Sequence, residues 1–232
     1  MATLVPSLNS CLSRMQAGER RFARRLESLL EDDYRCWYDL PVGKRQRYSD
    51  FIVLHPLRGL LLLEVKDWRL ETIRSMNKVS AQIITPAGLK NVANPLEQAR
   101  QYTYQLIDKL QRDPQLVHAD GQYKGQLLFP YGFGVVLSNI TRAQFDQTDL
   151  SEVLPEHQTI CKDEMFEHMD AEAFQERLWG MFNVQFSRRL SLPQLDRIRW
   201  HLFPEIRINT QEQGCLFPKP ADAKETAHPF PD

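Results

Sequence analysis

Residues 48–68 read YSDFIVLHPLRGLLLLEVKDW, and this stretch decides the fold of the chain. It holds two apolar runs, Phe51 to Leu54 and Leu60 to Leu63, on either side of a short turn. Continuous apolar runs of this length are typical of strands that are covered on both faces of a sheet. We therefore predict a buried antiparallel hairpin whose turn is formed by Pro56, Leu57 and Arg58.

The predicted pairing brings charged residues together near the far end of the hairpin. Asp50 then lies directly opposite Glu64, with both side chains on one face and the Cβ atoms about 5 Å apart. Lys66 follows Glu64 by two positions and projects from the same face. Two facing carboxylates repel each other, and apolar neighbours strengthen the repulsion. A divalent cation between them would relieve it, so the pair is a candidate site for Mg²⁺ or Mn²⁺.

Neighbouring residues would complete a hydrolytic site. The backbone carbonyl of Val65 offers the cation another oxygen, and Lys66 would stand beside the cation to orient water or stabilise developing charge. A helix is predicted to begin at Asn94-Pro95, and its Gln98 would orient Lys66 or the water. Tyr102 lies one turn further along the same helix face, where it would contact a phosphate.

Three further features each have two interpretations. Glu19 lies in the first turn of a helix predicted for residues 15–31, either as an acid that suits the helix dipole or as a third carboxylate of the site. The other faces of the same helix carry arginines that are either solvated surface or phosphate contacts: Arg20, Arg21, Arg24 and Arg25. A basic loop directly before the site supplies two candidate substrate contacts, Lys44 and Arg47. Lys66 itself has a simpler interpretation, a salt bridge to Glu64 or Asp50.

Composition is that of a single α/β domain. The chain has 232 residues, 42% of them hydrophobic, and a formal net charge of −1, which neither favours nor excludes nucleic acid. The four cysteines form no C-x-x-C pair, so we expect reduced thiols of a cytoplasmic protein and no zinc cluster. We predict neither a signal peptide nor a membrane span. The sequence contains no P-loop and no H-E-x-x-H motif.

The predicted order of elements describes a mixed sheet with helices on both faces. Residues 1–13 are expected to be loosely ordered, and residues 70–92 to be polar and irregular apart from a hairpin near Thr85–Gly88. The remaining predicted strands and helices are strands at 34–42, 133–137 and 158–161 and helices at 95–112, 171–186 and 191–202.

Four short segments carry a resemblance to a known family: Gly18-Glu19, Ser49-Asp50-Phe51, EVKDW at 64–68 and NPLEQARQY at 94–102. Over about residues 15 to 140, the chain resembles the nuclease-related domain (NERD) family of the PD-(D/E)XK, restriction-endonuclease-like superfamily. The resemblance implies a restriction-endonuclease-like core that hydrolyses DNA with Mg²⁺ or Mn²⁺. It also implies functional roles for individual residues: Asp50 and Glu64 as metal ligands, Lys66 as the catalytic lysine, and Glu19 and Gln98 as supporting residues. The one departure is Ser49, where the superfamily has proline.

The same resemblance suggests a division of the chain. A nuclease-like domain is expected at 15–165, between an N-terminal segment at 1–14 and a helical extension at 166–208, with a Pro-rich tail at 209–232. LFPEIRI at 202–208 resembles the joint between NERD domains and a superfamily I helicase. A helicase domain in the same chain, acting in DNA processing or defence, is therefore an expected partner. The alternative is a catalytically inactive nucleic-acid-binding or regulatory module of such a helicase.

Overall fold

The computed structural model describes residues 1–42, 47–166, 168–184, 186 and 188–203, without the side chains at 41, 42, 47 and 48. Apart from short 3₁₀ turns, the elements in chain order are β1 (Thr3–Val5), α1 (Leu8–Cys11), α2 (Ala17–Leu29), β2 (Arg35–Val42), β3 (Arg47–His55), β4 (Gly59–Lys66), β5 (Ile73–Met76), β6 (Ser80–Thr85), β7 (Gly88–Ala93), α3 (Pro95–Leu110), β8 (Tyr131–Leu137), α4 (Arg142–Asp146), β9 (Thr159–Cys161), α5 (Ala171–Trp179) and α6 (Leu192–Leu202). Six strands form one mixed sheet in the order β1-β2-β3-β4-β8-β9.

The central hairpin has the predicted register. β3 and β4 pair antiparallel from Phe51 opposite Leu63 to His55 opposite Gly59, around the expected turn. On its other side β4 pairs parallel with β8, so this strand has neighbours on both sides. Residues Leu60 to Leu63 are fully buried, as two covered faces require.

Helices cover both faces of this sheet, which confirms the predicted mixed α/β, restriction-endonuclease-like class. Alternate strand residues belong to different core clusters because side chains of a strand alternate between the faces. On the first face, Phe51 and Val53 pack with α2 and α5. On the second face, Ile52 and Leu54 pack with α3 and α6.

The expected loose order of residues 1–13 is wrong. β1 pairs parallel with β2, with Leu4 beside Cys36, and so forms the edge of the six-stranded sheet. Leu4 and Cys11 are buried in the first core cluster. A three-residue strand is too short to show a periodic pattern in the sequence.

The segment between β4 and α3 forms a separate three-stranded antiparallel sheet, in the order β5-β6-β7. The predicted hairpin is present, with Thr85 opposite Gly88, but the irregular chain expected around it instead forms the two strands of this hairpin, β6 and β7, and one further pairing, of β5 with β6. Ile73 and Met76 pack against a third core cluster that includes Val135 and Leu137 of β8.

The last two described helices belong to the main cores. α5 ends at Trp179, earlier than predicted, and places Phe174 and Leu178 on the first face. α6 begins after the predicted capping box at Ser191 and places Ile198 on the second face. The boundary at residue 165 stays a prediction, although elements on both of its sides share these cores. The predicted tail at 209–232 lies outside the described residues, as does most of the helicase-like joint.

Candidate active site

At Asp50 the backbone pairing between β3 and β4 ends, and a side-chain hydrogen bond takes its place. Backbone pairing reaches Phe51 and Leu63, and beyond it Asp50 Oδ2 accepts the backbone N–H of Val65 at 2.7 Å. On the other flank, β2 pairs with β3 at Tyr38 and again at Leu40. Between these positions Asp39 has a φ of 54°, a left-handed conformation that is uncommon outside glycine. The Asp50 carboxylate thus replaces a backbone hydrogen bond between β3 and β4 at the point where the candidate site begins.

Glu64, Lys66 and Gln98 meet on the second face. Lys66 Nζ donates to Glu64 Oε1 at 2.5 Å, and Gln98 Nε2 donates to the same oxygen at 2.6 Å. The Glu64 side chain is only 2% exposed, whereas that of Lys66 is 21% exposed. The other carboxylate oxygen, Oε2, is buried and has no hydrogen-bond donor among the described residues. An oxygen in this position is costly unless a ligand or a proton occupies it.

Charge and burial raise the affinity of the two acids for protons. Burial, followed by the charge of Glu64, raises the pKa of Asp50 to about 8, although the Val65 N–H and Lys66 oppose this shift. Burial also raises the pKa of Glu64, against the opposing effect of Lys66. One lysine therefore does not neutralise the pair.

A hard divalent cation fits this donor set. Asp50 and Glu64 supply carboxylate oxygens on one side of the sheet, and Mg²⁺ binds through one or two carboxylates while keeping several waters. Among the described residues no group of three or more His, Cys, Asp or Glu side chains is arranged to hold a metal. A cation here would rely on two acids, with water or the Val65 carbonyl as further ligands.

Glu19 lies close to the site and also has the simpler role predicted for it. Its Oε2 accepts the N–H of Gln16 at 2.8 Å, the reciprocal contact of a capping box at the start of α2. The same oxygen accepts the Tyr38 hydroxyl at 2.8 Å. The charge of Glu19 raises the pKa of both Asp50 and Glu64. Its role as a third ligand stays a prediction.

Asp67 is a positioning residue that the sequence reasoning missed. Its Oδ2 accepts the N–H of Gly18 at 3.0 Å, and its Oδ1 accepts the Ser138 hydroxyl. A Cβ on Gly18 would stand 1.9 Å from Asp67 Oδ1, so only glycine allows this approach. Asp67 thereby attaches the start of α2, with Glu19, to the end of β4. The sequence did contain a sign of this role, because Asp67 directly follows Lys66 in the EVKDW segment that carries the family resemblance.

The structure says less about the three predicted substrate contacts, Tyr102, Lys44 and Arg47, than about the carboxylate pair. Tyr102 is only 6% exposed and packs in the second core cluster, so little of its surface is available to a phosphate. Lys44 lies outside the described residues. Arg47 begins β3, but its side chain is not described. All three assignments stay predictions.

A comparison with protein families shows which family this chain belongs to. A family model described as NERD, nuclease-related domain, matches residues 14–129, half of the chain. The chain belongs to the NERD family. Comparisons with curated proteins and with solved structures gave no significant match.

The matched range of the NERD domain contains every residue of the candidate site. It begins just before α2 and includes the whole of the hairpin, the small sheet and α3. Ser138, which holds Asp67, lies beyond it. In the described part of this protein, every helix is too short or too polar to cross a bilayer.

Proposed function

We propose that this NERD domain is a Mg²⁺- or Mn²⁺-dependent nuclease that hydrolyses phosphodiester bonds in DNA. The observation that supports it most is the buried Oε2 of Glu64, which has no donor among the described residues although Oε1 has two. Asp50 adds a second carboxylate whose charge is unfavourable without a counter-ion. Such a pair is expected in a site that binds a cation.

The proposed roles follow from these contacts. A divalent cation at Asp50 and Glu64 would supply charge neutralisation at the phosphate and acidify a bound water. Lys66, partly exposed beside Glu64, provides an ammonium that orients the attacking water or stabilises charge on the phosphate oxygens. Gln98 holds Oε1 of Glu64 and so orients this carboxylate, which would hold the cation together with Asp50. Tyr38 and Asp67 hold Glu19 and its helix close to the site.

The substrate side of the proposal rests on the basic loop and on the family. Lys44 and Arg47 precede Asp50 in the chain and are proposed to contact the DNA backbone. A helicase domain in the same chain would supply the unwound or translocated substrate. The cytoplasm is the proposed location.

A cleavage assay tests this function. The protein is incubated with linear, circular and single-stranded DNA in Mg²⁺ or Mn²⁺, and EDTA is then added. We expect cleavage that EDTA stops and that Lys66→Ala reduces about 100-fold or more, within the range for loss of one electrostatic catalytic group. Lys124→Ala, at an exposed lysine between α3 and β8, is the matched control and should cleave normally. No cleavage by the wild type, or equal cleavage by Lys66→Ala, contradicts the proposal.

One observation favours the alternative of an inactive module. The Lys66–Glu64 ion pair at 2.5 Å is a satisfied contact that needs no cation at Oε1. An inactive nucleic-acid-binding or regulatory module would bind DNA with strong salt dependence and show no metal-dependent turnover. The same assay, read together with binding, separates the two.

A further inference from the structure

The small sheet between β4 and α3 has an unusual charge. Residues 73–93 contain three basic residues, Arg74, Lys78 and Lys90, and no acidic residue. The whole chain has a net charge of −1, so the remaining residues together carry −4. All three basic side chains are exposed, and none of them forms an ion pair within the described residues. This sheet is thus a local positive surface on an otherwise acidic protein.

The solvent face of the sheet carries a row of uncharged polar side chains beside two exposed apolar ones, Ile84 and Leu89. Ser75, Gln82 and Asn91 lie in register across the three strands, and Ser75 Oγ contacts Gln82 Oε1 at 3.3 Å. Ala81 and Ile83 are buried on the opposite face. Lys90 pairs with Ile83 and so projects from this opposite face, at the edge strand β7, while Arg74 lies on the other edge strand, β5, and Lys78 in the turn between β5 and β6. Basic side chains at the edges of a sheet with a polar row are suited to a polyanion, because backbone phosphates accept hydrogen bonds from both kinds of group.

Asn94 links the sheet to the helix that carries Gln98 of the candidate site. Asn94 donates its backbone N–H to the Val79 carbonyl at 2.9 Å and its side-chain amide to the Asn77 carbonyl at 2.8 Å. Its Oδ1 also caps α3 by accepting the N–H of Leu96. One turn later on α3, Gln98 contacts Glu64. The turn that presents Lys78 is therefore held at the helix end nearest the site.

We propose that the β5-β6-β7 sheet is the surface that holds the nucleic acid substrate for the proposed nuclease site, through its phosphate backbone. β5 has four residues, and β6 and β7 have six each. With a rise of about 3.3 Å per residue and less than about 5 Å between strands, the three basic residues lie within about 20 Å of one another. This span covers several phosphates of a duplex, which carries one charge per about 1.7 Å of axis. The inference rests on the proposed function for the identity of the ligand, but its test does not need cleavage.

The test measures DNA binding in EDTA, so that hydrolysis does not interfere. A triple variant, Arg74→Gln with Lys78→Gln and Lys90→Gln, is compared with the wild type by fluorescence anisotropy on a labelled duplex and its single strand. We expect at least 10-fold weaker binding at 100 mM salt and a salt slope shallower by about 2 to 3, since each lost phosphate contact contributes about 0.9.

The control removes the same charge elsewhere. Arg112→Gln, Lys124→Gln and Arg189→Gln are exposed positions, and Arg112 lies beyond the far end of α3, about 24 Å from its start. Binding by this control should stay within twofold of the wild type. Equal binding by the two triple variants, or no binding by the wild type, overturns the inference. A protein that binds as expected but never cleaves DNA would retain this surface and lose only the proposed nuclease function.

Discussion

At the scale of single residues, the site depends on a difference in hydrogen bonding between the two carboxylate oxygens of Glu64. Oε1 accepts from Lys66 and Gln98, whereas Oε2 is buried without a described donor. This asymmetry was not predictable, because it depends on rotamers of three side chains. The proximity of Glu64, Lys66 and Gln98 was predictable. Lys66 shares the face of Glu64 by strand periodicity, and α3, which carries Gln98, begins at a recognisable cap.

The charge of Asp50 should destabilise the metal-free protein. Because burial and Glu64 raise its pKa to about 8, the folded state holds a proton that the unfolded state releases near pH 4. The free energy of unfolding therefore falls as the pH rises from about 4 to 8. Asp50→Asn should remove the part of this fall that Asp50 causes, leaving the part that Glu64 causes, and be more stable by about 1 to 3 kcal/mol at pH 8 in EDTA.

The measurement is denaturant unfolding of both proteins at pH 5 and pH 8. Asparagine keeps a carbonyl acceptor for the Val65 N–H, so the substitution isolates the charge. An Asp50→Asn variant with the same pH dependence as the wild type would show that Asp50 is not strained by its charge. Cleavage by this variant at the wild-type rate would show that Asp50 is not a ligand.

Gln98→Ala should slow the reaction without unfolding the protein. The variant removes one of two donors to Glu64 Oε1 and leaves the Asn94 cap of α3 intact. We expect a roughly 10-fold lower cleavage rate and a change in melting temperature of at most about 2 °C. Gln101→Ala, on the exposed side of the same helix, serves as the control. A normal rate for Gln98→Ala removes this residue from the site.

At the scale of elements, the hairpin was the most predictable part of the fold. Its register follows from two apolar runs and a tight turn, which are local in sequence. Only the hairpin turn of the small sheet was predicted, and its strands were missed because β7 has no buried residue to mark a pattern. Contacts between distant segments, such as Asp67 with Gly18 across 49 positions, leave no periodic signal at all.

The junction of α2 and β4 gives a prediction for Gly18. A Cβ at this position would meet Asp67 Oδ1 at 1.9 Å and Ser138 Oγ at 2.4 Å. Gly18→Ala should displace the start of α2 and cost about 1 to 3 kcal/mol of stability, the usual range for overpacking. Gly180→Ala is the matched control, because its Cβ would meet nothing closer than 3.4 Å and its φ is −62°. Equal stability of the two variants in urea unfolding would contradict the close approach.

At the scale of the whole molecule, α6 connects the end of the described chain to the loop after α3. Asp113 Oδ2 accepts from Arg197 Nε at 2.6 Å and contacts His201 Nε2 at 2.8 Å. The Asp113 side chain is 1% exposed. Burial alone would raise the pKa of Asp113, but these hydrogen bonds outweigh it and lower the pKa to about 2.

This contact should make the protein sensitive to acid. A carboxylate with a lowered pKa stabilises the fold fully above about pH 4, and this contribution is lost as the pH falls toward 2. Asp113→Asn should cost about 1 to 2 kcal/mol at pH 7 and show a smaller loss between pH 4 and pH 2. Asp196→Asn, which breaks an exposed pair with Arg199, should change stability by less than about 0.5 kcal/mol. Thermal unfolding of the wild type and both variants at pH 7, pH 4 and pH 2 decides whether Asp113 has this role.

The whole account depends on Asp50 and Glu64 sharing one cation, and a crystal soaked in Mn²⁺ tests this most directly. The account predicts an anomalous peak within about 2.2 Å of a carboxylate oxygen of each residue. The peak should be absent from a Glu64→Gln crystal soaked in the same way. No peak between the two acids of the wild type, or a Mn²⁺ ion bound only elsewhere, would contradict the account.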